Sequence, residues 1–150
     1  MLFRSQGSGT AGKTQILPVT GGQSLFVNGN LSIQNSNAVL PGILNPNGNT
    51  INLLGNWSNY NQAGYLEGTS EVRFVGNSTQ TVECGSGEVF YRAELNNPQG
   101  IIINQPLQLR NRLNMQAGNL TANLNLVTLG ESATLPGTLV HTDEIGRAHV

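Results

Sequence analysis

A short template recurs along this chain and constrains its fold more than any other feature: alternating apolar and polar residues that end in Gly-Asn. It occurs at residues 25–31, 51–57 and 72–77, and residues 107–113 repeat it without the glycine. Alternation predicts strands that bury one face. Gly-Asn predicts a bend, because these two residues best tolerate positive φ. We therefore expect a repeated unit of strand and bend.

The spacing of these units favours a stacked coil. The Gly-Asn pairs begin at Gly29, Gly55 and Gly76, and a spacing in the twenties suits one turn of a β-solenoid, in which asparagines can stack in ladders. No stretch carries apolar residues at i, i+3, i+4 and i+7 over the length of a helix. We predict an all-β fold, a parallel β-helix or β-solenoid. A β-sandwich is the alternative, since it also gives short strands with frequent turns.

The alternation also predicts individual strands and the core that they bury. The predicted strands cover residues 25–33, 51–57, 71–75, 79–82, 89–95, 101–103, 107–115, 120–126 and 127–129. Apolar residues that share the phase of their strand should face inward, because a slip of one residue would expose them all. The predicted core is Leu25, Val27, Leu31, Ile33, Ile51, Leu53, Trp57, Val72, Phe74, Ile101, Ile103, Leu107, Leu109, Leu113, Leu124 and Leu126.

Both ends of the chain are expected to be foreign to it. Residues 144–150 resemble the translation of a sequencing-adapter oligonucleotide, and residues 1–5 resemble the translation of its reverse complement. Residues 6–143 would then be one solenoid segment, a fragment of a longer protein. On this hypothesis the ends have no packing partners, and their apolar residues stay out of the core: Leu2, Phe3 and Ile145.

Composition and motif context argue against several partners and cofactors. Charged residues make up 10% of the chain and its formal net charge is −1, which provides no field for binding nucleic acid or an anionic membrane. No apolar run approaches the roughly 20 residues of a membrane helix, so no membrane insertion is expected. Residues 7–14, GSGTAGKT, match the phosphate-loop pattern, but Pro18 and Gly21 would stop the helix that this loop requires. We predict a Gly-rich turn and no cofactor.

Carboxylates and arginines in the middle of the chain are the candidates for catalysis. A β-helix that cleaves polysaccharide needs paired carboxylates, or an Arg or Lys base, on one outer face. The carboxylates are Glu67, Glu71, Glu83, Glu88 and Glu94, and the arginines are Arg73, Arg92, Arg110 and Arg112. Three pairs two residues apart share a face: Glu71 with Arg73, Arg92 with Glu94, and Arg110 with Arg112. We expect weak solvated contacts worth up to about 1 kcal/mol each, and no catalytic site.

Other reactive or binding side chains are sparse. Cys84 is the only cysteine, and His141 is the only histidine within residues 6–143, so a half-buried or exposed structural thiol is expected rather than a nucleophile. No Cys/His spacing indicates a metal site. Trp57, Tyr60 and Tyr65 could form a platform for sugar stacking. However, Trp57 falls on the inward phase of its strand and is expected in the core.

The order of several short motifs resembles a known family. They are GNWSN at 55–59, VRFVG at 72–76, QTV at 80–82, FYRAELNN at 90–97, AGNL at 117–120 and VTLG at 127–130. In this order they resemble the repetitive β-strand regions of large, secreted, adhesin-like surface proteins of Bacteroidetes bacteria. The resemblance spans about residues 25–142, and it departs from the family pattern at Cys84 and residues 92–94. It implies a secreted, non-catalytic, solenoidal region.

Two classes of function follow from these observations. The first is a non-catalytic structural or adhesive repeat segment of an exported cell-surface protein, in contact with glycans or neighbouring surface components. The second is a carbohydrate-binding or polysaccharide-cleaving β-helix, which would show acidic and basic groups converging in a groove. Self-association through open strand edges is expected for an isolated segment.

Overall fold

The computed structural model describes residues 24–34 and 42–142, together with the backbone of Leu2–Phe3. The strands are β1 (Leu2–Phe3), β2 (Leu25–Val27), β3 (Leu31–Ile33), β4 (Thr50–Leu53), β5 (Trp57–Asn59), β6 (Glu71–Phe74), β7 (Gln80–Cys84), β8 (Glu88–Asn96), β9 (Ile101–Ile103), β10 (Leu107–Ala117), β11 (Leu120–Thr121), β12 (Val127–Ser132), β13 (Leu135–Pro136) and β14 (Thr138–His141). The described residues form no helix, which confirms the all-β prediction. No helix long and apolar enough to cross a membrane occurs among them.

The strands stack in parallel on three faces, as in a β-solenoid. Face 1 consists of β2, β4, β6, residues 92–95 of β8, residues 112–115 of β10, and β14. Face 2 has the strand order β1-β3-β5-β7-β9-β11. Face 3 consists of residues 88–90, 107–109 and 127–129. The solenoid prediction is confirmed, and the β-sandwich alternative is wrong.

Face 1 keeps one register from coil to coil. Leu25 pairs with Ile51, Ile51 with Val72, Val72 with Ala93, and Ala93 with Leu113. These side chains form a single inward column, because successive residues of a strand point to opposite faces. The recurring template therefore lays each coil on the one before it.

The Gly-Asn pairs lie at corners between face 1 and face 2, as predicted, but the expected reason is wrong. Gly29, Gly55 and Gly76 are not among the residues with positive φ. At Gly55 and Gly76 glycine is needed because the coils approach closely, whereas a Cβ atom on Gly29 would meet nothing within 4 Å. A Cβ atom on Gly76 would lie 2.7 Å from the carbonyl oxygen of Leu54, and one on Gly55 would lie 2.5 Å from the carbonyl oxygen of Gly29.

The asparagines at these corners form a ladder between coils. Asn30 Oδ1 accepts a hydrogen bond from the Asn56 amide at 2.8 Å. Asn56 Oδ1 accepts one from the Thr81 amide at 2.9 Å. Each asparagine thereby satisfies a backbone amide of the next coil.

All but three residues of the predicted core are buried. Leu25 is only partly buried, and it belongs to the first coil that the structure describes. Leu124 and Leu126 are 104% and 68% exposed, so their assignment to the core is wrong. The predicted strand over residues 120–126 ends at Thr121, because the chain turns at Asn123, whose φ is 53°.

The inward positions around that turn belong to other residues. Leu120, Ala122, Val127 and Leu129 pack partly buried against the core. The predicted strands over residues 25–33 and 51–57 are also each divided in two by a Gly-Asn corner. Alternation thus continues across a corner, although the strand itself does not.

The last coil departs from parallel pairing. β12 pairs with β13 in antiparallel orientation, with Gly130 opposite Pro136. The chain then returns to face 1, where β14 pairs in parallel with β10. The hairpin of β12 and β13 therefore lies beside the edge where face 3 turns into face 1.

Several predictions fall on other parts of the chain. The Gly-rich residues 7–14 and the tail at residues 144–150, including Ile145, lie outside the described residues. At the opposite end, β1 pairs in parallel with β3. The side chains of Leu2 and Phe3, whose exclusion from the core is predicted, also lie outside the description.

Candidate functional site

Charged side chains converge on the outward surface of face 1. Register places Glu71, Arg92 and Arg112 in one column across β6, β8 and β10. Arg73 and Glu94 lie in the neighbouring column, which continues to Asn114. Residues two apart on a strand share a face, and strands in a sheet lie about 4.8 Å apart. Opposite charges therefore meet both along a strand and between coils.

Glu71 is the centre of this ionic group. Its Oε2 atom lies 2.8 Å from Arg73 Nη2, and its Oε1 atom lies 2.9 Å from Arg112 Nη2. The Arg112 contact joins coils that are not adjacent, since β8 lies between β6 and β10. Arg73 Nε also lies 3.8 Å from Glu94 Oε1. One carboxylate thus joins β6 to β10 across the intervening strand β8.

The other charged groups of this face are also held by neighbours. Glu94 Oε2 accepts hydrogen bonds from Asn114 at 3.0 Å and Gln116 at 3.3 Å. Arg92 Nη2 donates to the carbonyl oxygen of Thr69 at 2.7 Å. At the edge of the face, Arg110 Nη1 lies 2.9 Å from Glu67 Oε1.

The electrostatics of Glu71 differ from those of a solvated pair. Its side chain is only 6% exposed, whereas those of Arg73 and Arg112 are 39% and 38% exposed. Burial by itself raises the pKa of Glu71, but hydrogen bonds and charges from Arg112 and Arg73 outweigh burial and lower the pKa overall. Glu71 therefore stays ionised at neutral pH, which does not suit a general acid.

A second carboxylate, Glu88, lies inside the solenoid. Its Oε2 atom accepts hydrogen bonds from Trp57 Nε1 at 2.6 Å and Asn59 Nδ2 at 2.9 Å. Its Oε1 atom accepts one from the Val89 amide at 3.1 Å. All three donors are neutral groups. Burial raises the pKa of Glu88, and these hydrogen bonds only partly offset that effect.

Aromatic rings surround the inner carboxylate. Trp57 meets Tyr65 and Phe90 edge to face, with ring centroids 4.8 and 5.0 Å apart. The Tyr65 hydroxyl is buried, and it has no hydrogen-bond partner among the described residues. Burial, followed by the charge of Glu88, raises the pKa of Tyr65. Inside the solenoid, this hydroxyl therefore stays protonated at neutral pH.

The remaining sequence candidates do not form a reactive or sugar-stacking site. Trp57 and Tyr65 are buried, the former as predicted, and Tyr60 is 46% exposed, so the three rings do not form a common platform. Cys84 is a buried free thiol. Burial, and then the charge of Glu88, raises the pKa of Cys84 to about 11, so the thiol is protonated at neutral pH.

Sequence reasoning missed the polar residues inside the coil. Gln80 and Asn97 are 1% and 0% exposed, and Asn97 Nδ2 donates to Gln80 Oε1 at 3.0 Å. Gln80 also donates to the Leu53 carbonyl at 3.0 Å. Their inward position could have been found from strand alternation, because residues two apart on a strand share a face. Gln80 stands two residues before the buried Val82, and Glu88 stands two residues before the buried Phe90.

A polar cleft lies where face 3 turns into face 1. Its walls are the edges of β8 and β10 and the β12–β13 hairpin, and its lining includes Tyr91, Arg110, Asn111, Glu131, Thr134 and Pro136. Arg110 bridges from this cleft, past the coil of β8, to Glu67 in the segment that leads into β6. We call this feature the hairpin cleft.

Among residues 24–34 and 42–142, no group of three His, Cys, Asp or Glu side chains could hold a metal ion. The described residues combine a polar interior, an ionic outer face and the hairpin cleft. No family model, no curated protein and no solved structure matches it.

Proposed function

We propose that this chain is a non-catalytic structural and adhesive repeat segment of an exported cell-surface protein. The observation that carries the proposal is the mutual pairing of charges on face 1. Glu71 binds Arg73 and Arg112, and Glu94 is held by Asn114 and Gln116. A catalytic base or acid must exchange a proton with substrate, whereas these groups stabilise one another across coils.

The corner contacts support a structural role. The asparagine ladder ties Asn30 to Asn56 and Asn56 to Thr81, while Gln80 and Asn97 tie neighbouring coils from inside. Such contacts resist separation of the coils, because breaking them exposes polar groups without partners. A stiff segment of this kind suits a spacer that carries other parts of a protein away from a surface.

The adhesive part of the proposal is supported by the outer chemistry. Asparagine, glutamine, serine and threonine supply both donors and acceptors to a chain with only 10% charged residues. Individually weak contacts with glycans or surface components gain strength when many act together. The exported location is proposed on the family resemblance of residues 25–142, and the complete reading frame tests it through the export signals and domains that it encodes.

A direct test is incubation of the purified 150-residue chain with a panel of neutral and acidic polysaccharides. We expect binding without new reducing ends or unsaturated products. Cleavage that is lost on both Glu71→Gln and Arg73→Ala would overturn the non-catalytic proposal. Circular dichroism would have to show that each variant is still folded at the assay temperature, so that the loss is chemical rather than structural.

The alternative, a polysaccharide-cleaving β-helix, is favoured by one observation. Glu71, Arg73, Glu94 and Arg112 converge on a single outer face, which is the arrangement that such an enzyme requires. The lowered pKa of Glu71 leaves it available only as a base or an electrostatic stabiliser. The same incubation separates the two functions, because only the enzyme releases products.

Self-association is also proposed, on apolar exposure at the last described coils. Leu124, Leu126, Leu135 and Leu139 are all more than half exposed. Leu139 continues the inward column of face 1 through its pairing with Leu113, so a coil laid on it would bury apolar surface. Sedimentation at increasing concentration should show a rising mean mass. A strictly monomeric chain would contradict this part.

A further inference from the structure

The hairpin cleft lies where the strand pairing changes from parallel to antiparallel. Elsewhere in the described residues the named strands pair in parallel, but β12 and β13 pair in antiparallel orientation. The turn of this hairpin brings Glu131, Thr134 and Pro136 opposite Tyr91 and Arg110 of the two preceding coils. A coil that only continued the stack would leave this edge flat.

The two main side chains of the cleft are held in place by neighbours outside it. The guanidinium of Arg92 lies 5.6 Å from the centroid of the Tyr91 ring. Glu67 holds Arg110 at 2.9 Å, while the Arg110 side chain remains 42% exposed. Both groups are therefore oriented before any ligand arrives, which reduces the entropy cost of binding.

The lining combines one aromatic ring and the apolar side chains of Leu135 and Pro136 with donors and acceptors of both charges. Arg110 offers N–H donors, Glu131 offers acceptors, and the Asn111 amide offers both. An anion would meet the Glu131 carboxylate, and an apolar ligand would leave these groups without partners. A neutral pyranose fits the set, because its hydroxyls both donate and accept and its C–H face can pack on a ring.

We propose that the hairpin cleft binds one neutral hexopyranose unit of a glycan, with the sugar packed on Tyr91 and its hydroxyls hydrogen-bonded to Arg110, Asn111 and Glu131. The proposal rests on the adhesive part of the proposed function and gives it a location. A single shallow site of this kind binds weakly, with a Kd on the order of 1 mM. Useful adhesion then requires several chains or several sugar units.

The test is NMR titration of the isotope-labelled 150-residue chain with methyl glycosides of glucose, galactose and mannose. Glucuronic acid serves as the anionic probe and glycerol as a simple polyol. We expect at least one neutral glycoside to shift the backbone amides of Tyr91, Asn111 and Glu131, with glucuronic acid binding more weakly. Shifts confined to other parts of the chain, or stronger binding of glucuronic acid than of any neutral glycoside, would overturn the proposal.

Two tyrosine variants provide the matched comparison. Tyr91→Ala should weaken binding about tenfold, because ring contacts contribute on the order of 1 kcal/mol. Tyr60→Ala removes another tyrosine, 46% exposed and absent from the cleft lining, and should leave the affinity unchanged. Glu131→Gln, at an exposed position, should also weaken binding without changing thermal unfolding.

The outcomes distinguish this site from the broader function. If Tyr91→Ala and Glu131→Gln both bind glycoside as the wild type does, the cleft assignment is wrong while glycan adhesion stands. If the wild type binds no glycoside but still binds polysaccharide, the single-sugar site is likewise wrong. If it binds neither, the adhesive part of the proposed function fails as well.

Discussion

Two glutamates, Glu71 and Glu88, are both buried in this solenoid, yet their surroundings shift their pKa values in opposite directions. Glu71 points outward and lies against Arg73 and Arg112, which lower its pKa despite burial. Glu88 points inward and receives only neutral donors, chiefly Trp57 and Asn59, so burial raises its pKa. The difference arises from which side of the strand each residue occupies.

The comparison shows how the coil architecture distributes charge. Outside, long side chains from successive coils can lie along the surface and reach a carboxylate two strands away, as Arg112 does. Inside, the narrow core is filled by rings and aliphatic groups, and a carboxylate can be solvated only by nearby amide, indole and backbone N–H groups. Neutral donors reduce the cost of an internal charge without removing it.

The two carboxylates therefore give stability opposite dependences on pH. Because the pKa of Glu71 is lower in the folded state, this group stabilises the fold at pH values above its unfolded pKa, near 4.5. That stabilisation is lost as the pH falls through the pKa of the folded state. Because the pKa of Glu88 is higher in the folded state, the contribution of this group to stability is fully present at pH values below its unfolded pKa, near 4.5. It is lost as the pH rises through the pKa of the folded state.

The largest effect is expected from Trp57→Phe. This change keeps an aromatic ring but removes the N–H group that donates to Glu88 at 2.6 Å, and it leaves a cavity. We expect a loss of about 2–3 kcal/mol in the free energy of unfolding at pH 7, from the lost hydrogen bond to a buried carboxyl group and the lost packing. Denaturant unfolding measures it.

The matched control for this prediction is Tyr60→Phe. Tyr60 also forms a hydrogen bond to a glutamate, Glu83, but both residues are exposed. Its loss should cost at most about 0.5 kcal/mol, as for most surface changes. Equal losses of unfolding free energy in Trp57→Phe and Tyr60→Phe would show that the buried cluster around Glu88 contributes no extra stability.

The outer region is tested by Glu71→Gln, with a smaller expected effect. The amide cannot form ion pairs with Arg73 and Arg112, which lie 2.8 and 2.9 Å from the carboxylate. Because both arginines are more than a third exposed, solvent screens part of the interaction, and we expect a loss of about 1–2 kcal/mol at pH 7. Urea unfolding in low salt measures it.

Two comparisons check the origin of that loss. Glu67→Gln removes a carboxylate with a single partner, Arg110, and should cost less than Glu71→Gln. The cost of Glu71→Gln should also shrink as the pH falls through the lowered pKa, because the wild-type carboxylate then becomes neutral. A cost that stays constant down to pH 2 would contradict the ionic explanation.

Sequence periodicity predicts the architecture of this chain well because burial follows strand phase. Trp57 is correctly assigned to the core from its inward phase alone, and the parallel stack follows from the recurring template. The approach fails at Leu124, where the turn at Asn123 interrupts the phase. Alternation carries no information about where a strand stops when polar and apolar residues continue to alternate through the turn.

The sites are harder to predict than the fold. The contact between Glu71 and Arg112 depends on the order of strands in the stack and on the reach of a long side chain across Arg92. The Glu88 cluster combines residues from different coils and contains a charged group in an inward phase, which ordinary patterning assigns to the surface. Both require the register of several coils to be known first.

The prediction that separates the two carboxylates most directly is Glu88→Gln, whose expected effect lies in the pH dependence of stability rather than in its size at one pH. The amide keeps one oxygen for Trp57 and Asn59 but has no charge. Its NH₂ group faces the Val89 amide, which donates to the present carboxylate, and this mismatch adds a cost that does not depend on pH. The informative quantity is therefore the change in unfolding free energy between pH 5 and pH 8.

In the wild type, the Glu88 contribution should fall over this interval, because the unfolded state ionises more readily than the folded state. One proton gives a slope of at most about 1.4 kcal/mol per pH unit. Glu88→Gln should remove that decline. Glu71→Gln should retain it, because the wild-type Glu71 carboxylate titrates at lower pH. If the unfolding free energies of the wild type and Glu88→Gln change with pH in parallel, the prediction is contradicted. Ionisation of Glu88 would then have no effect on stability.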